Sequence, residues 1–164
     1  MQRRRFLTQA AAATGAGLAA VGLPAVAQNA PTVRWRMSTG WPKSLDALYG
    51  SAEALCRRVG ELTNGKFEIR AFPGGEIVPY SQNMEAVSNG TVECNHVLAT
   101  AHIGTNTAIA FDTGLSFGMN ARQHNAWIQF GGGMDKLREM YGQYGITNFV
   151  TGNVGVQMGG WYRK

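Results

Sequence analysis

Two short stretches of period-two patterning bracket one long stretch of helical periodicity, and this alternation limits the fold more than any other feature. Val33-Arg-Trp35-Arg-Met37 alternates apolar and polar residues, as a half-buried strand does, and runs into the turn-forming Ser38-Thr-Gly-Trp-Pro42. Leu45, Leu48, Ala52, Leu55, Cys56, Val59 and Leu62 then recur at three- and four-residue spacings, which align them on one face of a helix. Ser44 is the expected N-cap, and Asn64-Gly65 supplies the left-handed residues that stop the helix. Phe67-Glu-Ile69-Arg-Ala71 is a second alternating strand, broken by Pro73-Gly74-Gly75. A shorter helix over residues 81–88 ends at Asn89-Gly90, and residues 94–99 form a third strand. The order β-α-β-α-β with right-handed crossovers predicts an α/β fold with a parallel sheet clothed by helices. Its ligands bind in the loops beyond the carboxyl ends of the strands.

The second half is less regular. A loop-rich stretch over 100–118 precedes helices predicted at 120–130 and 135–144. Gly131-Gly132-Gly133 separates them and reads as a flexible joint, since no Lys-Ser or Lys-Thr follows to make it a phosphate cradle. Two further strands are predicted near 146–151 and 154–162. The sequence ends at Lys164 directly after that run with no turn, cap or polar tail, so the expectation is a truncated chain.

The amino terminus has a different character. Residues 9–32 carry no charge, are rich in Ala and Gly, and follow the basic Arg3-Arg4-Arg5-Phe6-Leu7; Ala25-Val26-Ala27 gives a small-x-small end. These are the parts of a secretory signal, expected to be removed after Ala27, and the Arg-Arg-x-Phe-Leu pattern resembles a twin-arginine export signal. Gln2 stands where Ser or Thr is usual and Thr8 where Lys is common. Gly15, Gly17, Gly22 and Pro24 weaken the rival reading, an uncleaved membrane anchor. What remains from residue 28 is thus expected to be soluble and periplasmic. The formal net charge of +5 is mostly a property of this leader: from Gln28 onward 12 basic residues face 10 acidic ones, a net of +2. So small an excess creates no broad phosphate-binding field and argues against a nucleic-acid partner.

Local motifs offer little chemistry. Gly114-Leu-Ser116-Phe-Gly118 fits the G-x-S-x-G nucleophile elbow, which makes a secreted serine hydrolase using Ser116 the alternative function. No histidine follows an acid downstream of Ser116, however, so the usual triad order cannot be completed. His96, His102 and His124 read as a strand, a loop and a helix-surface histidine, without a metal-binding pattern around them. Cys56 and Cys94 are expected as small buried hydrophobes, with a disulfide left open by an oxidising compartment. Asn89-Gly90-Thr91 is better explained as a helix-ending turn than as a glycosylation site. Aromatics near strand ends, Trp41, Phe72, Phe111, Phe117 and Trp161, are candidates to line a cleft or, in a third reading, a protein-binding surface.

In series, the opening strand and helix, Leu62-Thr-Asn-Gly65, Phe67-Glu-Ile-Arg-Ala-Phe-Pro-Gly-Gly75, Ser81-Gln-Asn-Met-Glu-Ala-Val-Ser-Asn-Gly-Thr91 and Val154-Gly-Val-Gln-Met-Gly-Gly-Trp161 resemble the extracytoplasmic solute-binding proteins of TRAP transporters, the DctP family. The α-keto acid-binding branch is the most similar part of it. The resemblance implies a two-lobed periplasmic binding protein, not an enzyme, that closes on an organic acid and delivers it to TRAP membrane permease subunits; residues 28–164 are then its N-terminal α/β lobe plus the start of the crossover strands, with the second lobe incomplete. It implies a 2-oxo monocarboxylate such as pyruvate as ligand, no cofactor, and a sodium ion beside the ligand. It puts a glutamine at Gln157 in contact with both ligand and ion, and a carboxylate-pairing arginine beyond the equivalent of Lys164. A homodimer is left open. Trp41, Thr100, Phe117 and Asn153 are the further cleft candidates, chosen because they follow predicted strand ends.

Overall fold

Strand β1 (Val33–Thr39) is the centre of a three-stranded parallel sheet with order β2-β1-β3. The structure, a computed structural model, describes residues 31–154 and 163. The expected leader, the strand predicted at 154–162, Gln157 and Trp161 lie wholly or almost wholly outside the described residues. β2 (Phe67–Phe72) pairs along β1 from Val33↔Phe67 to Ser38↔Phe72, whereas β3 (Cys94–His96) pairs only with its end, from Met37↔Cys94 to Thr39↔His96. The period-two pattern therefore does what the sequence requires. Trp35 and Met37 share one face with Phe67 and Ile69, while Arg34, Arg36, Glu68 and Arg70 take the other. Trp35 meets the edge of Phe67 with ring centroids 4.8 Å apart, and Arg34 pairs with Glu68 directly across the register at 3.2 Å.

Helix α1 (Asp46–Leu62) follows β1. Leu45, not Ser44, holds the cap position, with no side-chain capping hydrogen bond; Leu45 O accepts from Leu48 N–H at 3.0 Å and Tyr49 N–H at 2.8 Å. Its stop is as expected. Asn64 and Gly65 have φ of 50° and 73°, and Gly65 N–H reaches back to Gly60 O at 2.8 Å. The apolar stripe is only partly covered: Ala52 is fully buried, but Leu45, Leu55 and Leu62 remain exposed. Tyr49, outside the predicted stripe, is buried and donates its hydroxyl hydrogen to Ala71 O at 3.3 Å, anchoring the helix to β2.

Beyond β2 the chain forms helix α2 (Asn83–Ser88), preceded by a 3-10 turn at Tyr80–Gln82. Asn89 closes it as an Asx turn, its side-chain oxygen accepting from Thr91 N–H at 3.0 Å and from the Thr91 hydroxyl at 2.6 Å. The loop-rich stretch resolves into 3-10 turns at Ala99–His102 and Thr107–Ile109 and a single turn of helix, α3 (Ala110–Thr113). Helix α4 (Ala121–Phe130) starts with a full capping box: Asn120 accepts from Gln123 N–H and Gln123 accepts from Asn120 N–H, both at 3.0 Å. Helix α5 is Gly133–Gly142.

The triple glycine is a packed corner rather than a flexible joint. A β-carbon at Gly133 would lie 2.7 Å from the Trp127 ring and one at Gly131 3.0 Å from Trp127 backbone, while Gly132 has φ of 79°. Small residues here let α5 start flush against the indole. The main apolar core joins this helical half: Met84, Ala99, Ile109, Ile128, Leu137, Met140 and Tyr141 are buried together. Residues 147–154 form neither helix nor strand, so the strand predicted at 146–151 is not seen. A strand needs a partner ladder, and this stretch instead makes a side-chain contact with the end of β3. Among the described residues no helix is long and apolar enough to cross a membrane.

Candidate functional site

A cleft of about 260 Å³ opens at the carboxyl ends of β1 and β3, where a parallel sheet binds ligands. Trp41 and His96 form its sheet side, Asp112 and His124 its helical side, and residues 149–154 cross it. Local chemistry explains how each wall is held. Thr39 is completely buried and its hydroxyl donates to Phe72 O at 2.9 Å, tying the end of β1 to the end of β2. Gly40 N–H donates to His96 O at 3.0 Å and Gly74 N–H to Trp41 O at 2.8 Å, which fixes Trp41 between the ends of β2 and β3.

Trp41 is itself buried, and its indole N–H donates to His96 Nδ1 at 2.9 Å. An indole nitrogen can only donate, so Nδ1 is the unprotonated nitrogen of the ring and the proton sits on Nε2. That nitrogen is 3.2 Å from the Thr151 hydroxyl oxygen. Burial lowers the His96 pKa below the ordinary histidine value, in keeping with a neutral ring.

The opposite wall is also polar. Tyr141 is buried and its hydroxyl donates to Asp112 Oδ2 at 2.7 Å. Burial raises the Asp112 pKa, with the Tyr141 hydrogen bond opposing it, and burial together with the Asp112 charge raises the Tyr141 pKa. His124 is buried rather than on the helix surface: its Nε2 lies 2.8 Å from Phe111 O and its ring stacks on Trp127 at 5.8 Å. His102 is buried as well, in a 3-10 turn and not a loop, with burial lowering its pKa.

Of the residues proposed from sequence, Trp41 and Asn153 line this cleft and Gln157 lies outside the described residues. Thr100 and Phe117 do not line it. The strand before Thr100 ends at His96, so Thr100 falls inside a 3-10 turn with its own side chain exposed; Phe117, with φ of 60°, is fully exposed in the turn after α3. His96, Asp112, His124 and Thr151 were passed over. The signal for His96 was available: with β1 central and parallel to β3, the residues ending those two strands must be neighbours.

The nucleophile-elbow reading of Ser116 does not survive. An elbow needs a strand before the serine, whereas Ser116 sits in an exposed turn between helices α3 and α4. Among the described residues no group of three His, Cys, Asp or Glu side chains gathers to hold a metal ion. Cys56 and Cys94 are free thiols, both only half-buried; burial pushes the Cys94 thiol up to about 12, so it is an inert thiol and not a reactive one.

The model of the bacterial extracellular solute-binding proteins, family 7, matches residues 37–162. A monocarboxylate 2-oxoacid-binding periplasmic protein of Nostoc sp. is 44% identical over the whole chain, which covers 46% of it. A TRAP transporter solute-binding protein of Bordetella bronchiseptica is 77% identical, with a TM-score of 0.79 over 82% of this chain and 40% of that one. It is a mixed-occupancy dimer with copurified calcium and picolinate. A TRAP periplasmic solute-binding protein of Pseudoalteromonas atlantica, with bound sodium and pyruvate, is 32% identical with a TM-score of 0.77, over 81% of this chain and 40% of that one. The chain thus spans less than half the length of these relatives, which are two-lobed receptors. The strand-turn-helix series, the parallel α/β lobe and the cleft at its strand ends all have one explanation: the chain belongs to the bacterial extracellular solute-binding proteins of family 7, the DctP type, which are receptors and not enzymes.

Proposed function

We propose that the chain provides one wall of a periplasmic receptor that captures a 2-oxo monocarboxylate such as pyruvate and delivers it to the membrane permease of a TRAP transporter. The observation that carries this reading is the cleft at the ends of β1 and β3, walled by Trp41 and by residues 151–153, four residues upstream of Gln157. The names of the Nostoc and Pseudoalteromonas relatives support the ligand class. Residues 1–27 are the export leader in this reading, of the twin-arginine type.

Each residue has a task that its chemistry suits. Trp41 offers a rigid flat surface against which a small planar oxo acid can rest. The Gln157 amide can donate to a carboxylate or keto oxygen and present its own oxygen to a cation. The fit to a cation rests on the donor set of this stretch: the hydroxyl of Thr151 and the amides of Asn153 and Gln157 are neutral hard oxygens, suited to sodium or, with waters, calcium. Such an ion would offset the ligand's negative charge. Ligand stabilises the closed arrangement because only there does it touch both lobes at once.

A thermal-shift series on the full-length gene product in sodium buffer tests the reading. Pyruvate and its longer 2-oxo homologues should raise the unfolding midpoint, and lactate, which lacks the planar keto group, should raise it less. A midpoint that responds to amino acids or sugars and ignores every 2-oxo acid would defeat it.

A further inference from the structure

His96 stands between two segments that the chain delivers to the cleft from different directions. Trp41 comes from the turn after β1, and Thr151 from the stretch that leads toward Gln157. The imidazole accepts from one at 2.9 Å and faces the other at 3.2 Å, on opposite sides of one rigid ring. The register Thr39↔His96 and the bond from Gly40 N–H to His96 O fix the backbone from which that ring projects. Few side chains could serve. A hydroxyl is too short to span the two partners, and a glutamine carries its acceptor and donor on the same end, so it holds one partner well and the other poorly.

We infer that His96 is a positioning residue of the cleft, a neutral bridge that holds the Trp41 indole and the Thr151 segment in the arrangement that receives ligand. This rests on the receptor reading for its second half only; the bridge itself rests on the three side chains. Losing it frees the indole to change rotamer and lets residues 149–154 drift, so ligand must order both again on binding.

The experiment uses the full-length gene product and two readouts. The first is the indole ¹H–¹⁵N resonance of Trp41, assigned with Trp41→Phe; the second is pyruvate affinity by calorimetry. His96→Phe should move the Trp41 resonance and weaken pyruvate about tenfold, the effect of roughly one to two lost hydrogen bonds. His96→Gln should keep the resonance near its place and bind within about threefold of wild type. Thr151→Val should leave the resonance alone and weaken binding by about threefold to fivefold. If His96→Phe fails to fold, the other two variants decide, and unchanged pyruvate affinity in Thr151→Val then overturns the inference. An unmoved indole resonance in His96→Phe, or unchanged pyruvate affinity in both His96→Phe and Thr151→Val, overturns the inference. If wild type binds no 2-oxo acid, the receptor reading falls by itself, and the bridge is then judged on the indole resonance.

Discussion

Arg36 and Glu93 are joined three times: Arg36 Nη2 lies 2.7 Å from Glu93 Oε1, Arg36 Nε 3.1 Å from Oε2, and the Arg36 backbone N–H donates to the same Oε2 at 2.7 Å. The carboxylate thus does the work of a strand residue, accepting from the edge of β1 just before β3 begins. These hydrogen bonds hold the Glu93 carboxyl down to about 2. A carboxyl with a depressed folded pKa contributes stability above its ordinary range, and that contribution is lost as pH falls through about 2. The pair is half-open to solvent, which keeps the effect small. Glu93→Gln should lower the unfolding midpoint slightly at neutral pH, and the difference from wild type should vanish near pH 2. Circular dichroism melts across that range measure it.

The histidines predict a second pH effect, of the same sign. His96 and His102 have pKa values below the ordinary 6.5 because both are buried. The unfolded chain therefore binds more protons than the folded one below that pH, and stability should fall as the solution is acidified from 6.5 through the depressed folded values. Protonating His96 Nδ1 also sets a donor against the Trp41 N–H. Urea unfolding at about pH 7.5 and about pH 5, on either side of the ordinary histidine value, should show a shallower loss for His96→Gln than for wild type.

How much of this was legible beforehand depends on whether neighbours in sequence or in space decide the outcome. The β-α-β-α-β order, the Asn64-Gly65 stop and the turn at Asn89 follow from local patterning, and the structure has them. Residues 146–151 have strand composition but join no ladder among the described residues, and the 3-10 turns around Ala99 and Thr107 leave no periodic trace. Of the candidates that the strand-end rule names, Trp41 and Asn153 line the cleft, although the strand expected to lead to Asn153 does not form. The rule failed for Thr100 because β3 stops three residues sooner than its apolar composition suggested, and His96, which that early stop exposes to the cleft, was read as an ordinary strand residue.

Packing in the helical half gives a third prediction. Ile109 is fully buried where a 3-10 turn meets the core of α2, α4 and α5. Ile109→Ala should cost about 2–5 kcal/mol, read by denaturant titration, because such a site collapses only in part around the lost methyl groups.

Two glycine substitutions should move in opposite directions. At Gly133 a methyl group would press to within 2.7–2.9 Å of the Trp127 ring, so Gly133→Ala should destabilise by about 1–3 kcal/mol and perturb Trp127 fluorescence. At Gly60, inside α1, nothing lies within 4 Å of the added carbon. Gly60→Ala should stabilise by about 0.5–1 kcal/mol through helix propensity alone. Thermal melts of the two variants side by side make the comparison.

The most direct measurement is calorimetric titration of the full-length gene product with pyruvate in sodium chloride, repeated for Gln157→Ala and Trp41→Ala. Saturable binding at one site per chain, weakened at least tenfold in each variant, is the predicted result. Pyruvate binding that both variants leave untouched would contradict the cleft described above, and the absence of binding to pyruvate and every other 2-oxo acid would contradict the receptor reading.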